Sequence, residues 1–170
     1  KAILAQNENI LYLLPMGFGE RGAAHALNVT FLALLLARTC NIPEELMVDV
    51  GLGALLHDLG KQELPDRIRW LDDSFGNPEI MAYRQHVALG VSTGRRMQLP
   101  ASALLILAQH HEYADGSGYP MGLSGERIAL PARIVGLANQ FDHLCNPLSP
   151  SAALTPHEAV SMLFAQNKNK

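Results

Sequence analysis

Helix-start signals recur along this chain, and almost nowhere does it alternate as a strand must. Asn41, Pro43, Glu44 and Glu45 set a proline near a first helical position, with acids in the first turn. Asn77-Pro78-Glu79 repeats the signal, Pro100 and Pro131 each open an apolar run, and Thr155-Pro156-His157-Glu158 reads as a capping box. Between the starts, apolar residues recur at helical spacing, as Leu27, Phe31, Leu34 and Leu35 do. The pattern predicts an all-α fold of about seven helices. They run from Lys1 to Leu14, Glu20 to about Cys40, Pro43 to near Gly60, Asn77 to about Met97, Pro100 to His111, Pro131 to Asp142, and onward from Thr155, with a break at Pro15-Met16-Gly17-Phe18-Gly19. The longest segment without helical pattern is Tyr113 to Leu130, rich in Gly, Asp and Ser, and a loop of that length inside a compact domain is usually functional.

Composition narrows the class. Residues 1–170 are the size of one domain, and 48% hydrophobic against 17% charged residues excludes disorder. So little charge suggests a large core and a face that meets another domain or a second copy, as in a homodimer. A net charge of -3 offers no field for a nucleic-acid polymer. Two cysteines, Cys40 and Cys145, are too few for a disulfide framework and point to a reduced, cytoplasmic setting. No apolar run approaches 18 residues without a polar break, so no membrane span is expected. The chain opens on Lys1 rather than Met and shows no signal peptide, which suggests a fragment of a longer protein.

The histidines carry the functional signal. Seven are present, at 25, 57, 86, 110, 111, 143 and 157, and five sit in or beside apolar helical segments. One such histidine is usually a hydrogen-bonded core residue. Five, with Asp58 beside one and two adjacent to each other, are costly to bury without a shared partner. A divalent metal removes that cost, because neutral imidazole and carboxylate are its natural ligands. The spacing is neither a zinc finger nor a His-Glu-x-x-His helix. Ligands spread one or two per helix are how helical bundles build metal sites.

Here the sequence resembles a known family. His57-Asp58-Leu59-Gly60-Lys61 is similar to the signature of the HD phosphohydrolases. His110-His111-Glu112-Tyr113-Ala114-Asp115-Gly116-Ser117-Gly118-Tyr119-Pro120 is similar to the extended signature of the HD-GYP subfamily, and the likeness continues through Gly122-Leu123, Gly125-Glu126, Ile128 and Ala132-Arg133-Ile134. The resemblance implies an HD-domain helical bundle with a long GYP loop. It also implies a two- or three-metal site holding iron, manganese or another transition metal, and hydrolysis of cyclic di-GMP behind an upstream receiver or sensor domain.

The family pattern also implies a division of labour. His25, His57, Asp58 and a later acidic position would hold one metal, and Asp58 would bridge to a second held by His86, His110 and His111. A carboxylate has two oxygens where imidazole has one available lone pair, so Asp58 suits the bridge. Two metals sharing a hydroxide can attack phosphorus in line. Lys61 follows His57 by one helical turn and is either a phosphate or leaving-group contact or a solvated helix end. Glu112 and Asp115 either orient ligand histidines or pair with Arg127 or Arg133. Gly116, Gly118 and Pro120 would shape the loop. Tyr119 is open between packing and substrate contact. His143 is expected at the surface or facing a partner, and His157 in a first helical turn.

Three departures from the pattern matter. The family's last metal ligand is an acid, and Asn139 stands there, a weak ligand that brings no charge. Asp142 follows three residues on, but the family has an acid there too. Three-metal members carry a glutamate four residues before the first histidine; that residue is Arg21, and Glu20 is one position off, so two metals at most are expected. The segment after Asp142, His143-Leu144-Cys145-Asn146-Pro147-Leu148, lacks the arginines that grip the dinucleotide in the family. Two functions follow: a cyclic dinucleotide phosphodiesterase with Asp58 and Lys61 at the chemistry, or a degenerate domain that signals by binding a partner.

Overall fold

Each proline-led start opens a helix. The computed structural model describes residues 21–72 and 74–167. The described residues form six α-helices: α1 (Arg21–Thr39), α2 (Glu44–Leu56), α3 (Asn77–Arg96), α4 (Ala101–Gln109), α5 (Leu130–Cys145) and α6 (Pro156–Asn167). They hold no strand, only an isolated bridge between Asp115 and Ser124. The expected helix from Lys1 to Leu14, the break at Pro15 to Gly19, and Glu20 lie outside the described residues.

The helix ends differ from expectation in ways that position the site. Asn41 adopts a φ of 55° and the Ile42 N–H bonds to the Ala37 carbonyl at 2.9 Å, so Asn41 stops α1 rather than starting α2. Helix α2 ends at Leu56 instead of near Gly60, with His57 as its C-cap and a 3₁₀ turn at Leu59–Glu63 following. Helix α4 ends at Gln109, which makes His110 its C-cap. Thr155 and Glu158 form the expected capping box: the Thr155 N–H donates to Oε2 at 2.8 Å and the Glu158 N–H to Oγ1 at 3.3 Å.

The core lies between α1, α2, α4 and α5, where Val29, Ala33, Val50, Ala54, Ile106 and Val135 are buried together. Each large side chain buried there contributes about 1.5–3 kcal/mol. Helix α3 crosses the 3₁₀ turn at Gly60, where a Cβ would overlap the His86 carbonyl oxygen, so only glycine lets the turn sit that close. Leu64, Ile68 and Tyr83 form a smaller cluster beside it. Helix α1 is long and apolar enough by length and composition to cross a membrane. Its Ala24, Val29, Leu32 and Ala33 face the bundle interior, together with the polar His25 and Asn28. The packing brings the N-terminal part of α1, the middle of α3, the C-terminal ends of α2 and α4, and α5 to one place.

Candidate metal centre

Backbone geometry decides how the histidines present themselves. His57, His86 and His110 each turn Nδ1 back to the carbonyl three residues earlier: Ala54 at 2.6 Å, Tyr83 at 2.7 Å and Leu107 at 3.0 Å. A carbonyl only accepts, so Nδ1 carries the proton and Nε2 keeps a bare lone pair. His25 does the same toward a carboxylate, donating Nδ1–H to Asp142 Oδ2 at 2.6 Å. The Nε2 atoms then converge on Asp58. Those of His57 and His25 lie 3.3 and 3.6 Å from Oδ2, and those of His86 and His110 lie 3.5 and 3.9 Å from Oδ1.

This arrangement lacks protons where it needs them. His25 Nε2 and His57 Nε2 stand 3.3 Å apart, and His86 Nε2 and His111 Nε2 stand 3.2 Å apart. With Nδ1 already donating, the first pair sets two lone pairs face to face. His110 Nε2, Asp58 Oδ1 and Asn139 Oδ1 are buried with no hydrogen-bond partner. Orphaned acceptors of this kind are expensive in a protein interior. A cation satisfies them all at once, so the donor set fits a divalent transition metal. The donor atoms of Asp58, His86, His110 and His111 lie within 4.8 Å of one another, as do those of His25, His57 and Asp58. The C-terminal ends of α2 and α4 point at the cluster, and their partial negative charge also favours a cation.

Electrostatics agree with a cation host. Burial pushes the imidazoles toward neutrality: His86 falls to about 4, and His110 and His111 fall well below their ordinary value, helped by neighbouring rings. His25 is lowered by burial too, with the Asp142 hydrogen bond opposing. Burial alone would raise the Asp58 carboxyl, but the Lys61 ammonium and then His57 outweigh it and hold it well below the usual range. Lys61 is buried rather than a solvated helix end. Its Nζ lies 2.6 Å from Asp58 Oδ2, with the Tyr83 and Trp70 rings at 5.1 and 5.6 Å.

The other expected residues take definite places. The Glu112 carboxylate accepts the Met121 and Leu123 N–H groups at 2.7 and 2.8 Å, so it folds the loop instead of meeting Arg127 or Arg133. Asp115 Oδ1 accepts the N–H and hydroxyl of Ser117 at 2.9 and 2.6 Å. Arg133 donates to the carbonyls of Ile128 and Gly125. Gly116 has a φ of 81°, while Gly118 is required by space: a Cβ there would stand 2.5 Å from the His111 carbonyl oxygen. Tyr119, joined to Pro120 by a cis peptide bond, stacks on His111 with ring centroids 4.5 Å apart. His143 is exposed, but to the cleft: its ring meets His25 edge-on at 4.6 Å.

Sequence reasoning missed Asp142 as a functional residue. It is fully buried on α5, and besides His25 it accepts the side-chain amides of Asn28 at 2.9 Å and Asn146 at 2.8 Å. Its position three residues after Asn139, on nearly the same face of α5, was the available signal.

Comparisons agree with this geometry. The HD domain family matches residues 5–170. Over 140 residues the chain is 34% identical to the cyclic di-GMP phosphodiesterase response regulator RpfG of Xanthomonas campestris, covering 81% of this chain and 37% of that protein. Over 148 residues it is 36% identical to the cyclic di-GMP phosphodiesterase PA4108 of Pseudomonas aeruginosa, covering 84% and 35%. The chain thus spans about a third of the length of these curated relatives. Its fold is similar to that of Bd1817, an HDG"Y"P protein from Bdellovibrio bacteriovorus, with a TM-score of 0.72 at 23% identity over 89% of this chain and 53% of that one. With the His-Asp-x-Gly-Lys and Gly-Tyr-Pro motifs folded onto one cluster, the chain belongs to the HD-domain family.

Proposed function

We propose that this chain is a metal-dependent phosphodiesterase that hydrolyses cyclic di-GMP or a related cyclic dinucleotide. The observation that carries the proposal is the convergence of proton-free imidazole nitrogens on both oxygens of Asp58. His86, His110, His111 and Asp58 would hold one divalent ion, iron or manganese, and His25, His57, Asp58 and the weaker Asn139 a second. Bound metals supply Lewis-acid chemistry, lowering the pKa of a water and neutralising a phosphate. The chain's own residues do the rest. Asp58 spans both halves with its two oxygens, and Asp142 fixes the tautomer and tilt of His25. Tyr119 stacks on the His111 ring and fixes its tilt. Lys61 holds a cation at the cleft floor, ready for phosphate or a leaving oxygen. The names of both curated relatives support the substrate class, and the response-regulator name of one supports a role in signalling.

A second reading rests on Asn139. Its Oδ1 is buried with no hydrogen-bond partner, the residue stands where the family pattern has a carboxylate, and an amide holds a transition metal weakly. A domain so weakened would act as a partner-binding signalling module. Single-turnover cleavage of cyclic di-GMP in excess Mn²⁺ or Fe²⁺, with metal content measured in parallel, separates the two. Wild type should release a linear dinucleotide and Asp58→Ala should not. No cleavage by a wild type shown to hold both metals would leave the signalling module standing.

A further inference from the structure

The cleft beside His25 carries a cation that the metal centre does not use. Arg21 opens α1 one helical turn before His25, so both side chains lie on the same face. Its Nη2 lies 3.3 Å from the Pro147 carbonyl oxygen and 3.4 Å from that of Leu148. Those carbonyls belong to the segment that follows Asp142, and residues 143–148 contain no lysine or arginine. The sequence is therefore poor in cations where the fold supplies one from the other end of the chain, 126 residues away.

The surroundings suit a nucleotide phosphate. Arg21, Lys61, His143 and Asn146 line a cleft of about 320 Å³ together with His25 of the metal centre and the Trp70 ring. The start of α1 lies against that ring, since a Cβ on Gly22 would stand 3.6 Å from Trp70 Cη2. Asp72 also lines the cleft, but its Oδ1 accepts the N–H and hydroxyl of Ser74 at 2.8 and 2.5 Å. Both carbonyl bonds of Arg21 come from Nη2 and are long, and a guanidinium has five donors. The carbonyls aim the group and leave it donors for an anion. Two cations flanking an aromatic face recognise a phosphodiester with its base attached.

We infer that Arg21 is a substrate-binding residue, its guanidinium gripping a non-bridging phosphate oxygen of the cyclic dinucleotide in place of arginines absent from residues 143–148. This rests on the phosphodiesterase reading above. Trp70 is the single tryptophan of the chain, so its fluorescence reports the cleft alone. The probe is the hydrolysis-resistant bis-phosphorothioate of cyclic di-GMP, titrated into Mn²⁺-loaded protein at several salt concentrations. Arg21→Ala should weaken binding about tenfold, for one charge-assisted contact, and flatten the salt dependence, with metal content unchanged. Arg21→Lys should recover part of the loss. If Arg21→Ala fails to fold, Arg21→Gln keeps a donor for the carbonyls without the charge and should still bind more weakly. Binding by the wild type that neither Arg21→Ala nor Arg21→Gln alters would overturn the assignment. No binding by the wild type would overturn the cyclic-dinucleotide reading itself.

Discussion

The half of the metal centre built from His86, His110 and His111 and the half built from His25 and His57 share Asp58, yet they supply charge differently. In the first, imidazoles are held by backbone carbonyls and Tyr119, and Asp58 is the nearest anion. In the second, Asp142 stands directly behind His25 at 2.6 Å, and the weaker ligand proposed for it, Asn139, is an amide. An imidazole that donates to a carboxylate is a more basic ligand than one that donates to a carbonyl. On the proposed ligand set, the second half has one anion fewer among its ligands than the family pattern and keeps one behind them. Burial alone explains neither half; the charge behind each ligand ranks them.

Acid gives the largest effect. His86 titrates near 4 in the folded state, against 6.5 when exposed, because burial opposes its charge. Below pH 6.5 the unfolded chain binds a proton that the folded chain does not, so stability is complete above about 6.5 and falls with pH until about 4. His86 alone should lower the unfolding free energy of the metal-free protein by about 2 kcal/mol between pH 7 and pH 5. Urea denaturation in EDTA at the two pH values measures it, and His86→Gln should remove that part of the slope. His110 and His111 are also held well below their ordinary value and add to the same direction. A metal-free protein equally stable at pH 5 and pH 7 would mean these imidazoles are not desolvated as the fold places them.

The second effect tests the carboxylate behind His25. Asp142→Ala leaves the His25 Nδ1–H and the amides of Asn28 and Asn146 without their acceptor. Loss of such an outer partner typically weakens metal binding by roughly 10–100-fold. The loss should fall on one of two steps in a Mn²⁺ titration followed by calorimetry, leaving the step of His86, His110 and His111 in place. Equal weakening of both steps would show that Asp142 supports the bundle generally, through α1 and α5, rather than one half of the centre.

Residues close in sequence made much of this legible. Proline and acidic starts, the capping box at Thr155 and Glu158, and His57-Asp58 at a helix end are local signals, and they landed within a few residues. Long-range partners had no such signal. His25 and Asp142 are 117 residues apart, and Arg21 and Pro147 are 126 apart. Only the packing of α1 on α5 brings either pair together. For Glu112 the sequence left two readings open, orienting a ligand histidine or pairing with Arg127 or Arg133; its carboxylate takes the loop's own N–H groups at Met121 and Leu123, which needed an acceptor. For Lys61 the sequence left a phosphate contact and a solvated helix end open; the burial that excludes the second depends on Tyr83 and Trp70 from other segments.

The smallest effect restores the missing anion. Asn139 is buried on α5 with its Oδ1 unpaired, so an aspartate of nearly the same shape fits with little repacking. In the metal-free protein Asn139→Asp adds a buried carboxylate, and it should destabilise that state. With metal present the sign reverses, because the new charge lies against a cation. The weaker step of the Mn²⁺ titration should tighten by about tenfold, roughly 1.4 kcal/mol, and single-turnover cleavage of cyclic di-GMP should speed up by about as much. The stronger step should not move, since His86, His110 and His111 belong to the other half. Combining Asn139→Asp with Asp142→Ala sharpens the comparison further. If the two anions serve the same ion from two sides of His25, the gain from Asn139→Asp should be larger when Asp142 is gone. A gain of equal size in both backgrounds would mean that Asp142 does not share the ion that Asn139 faces, and that the two halves differ for some reason other than charge.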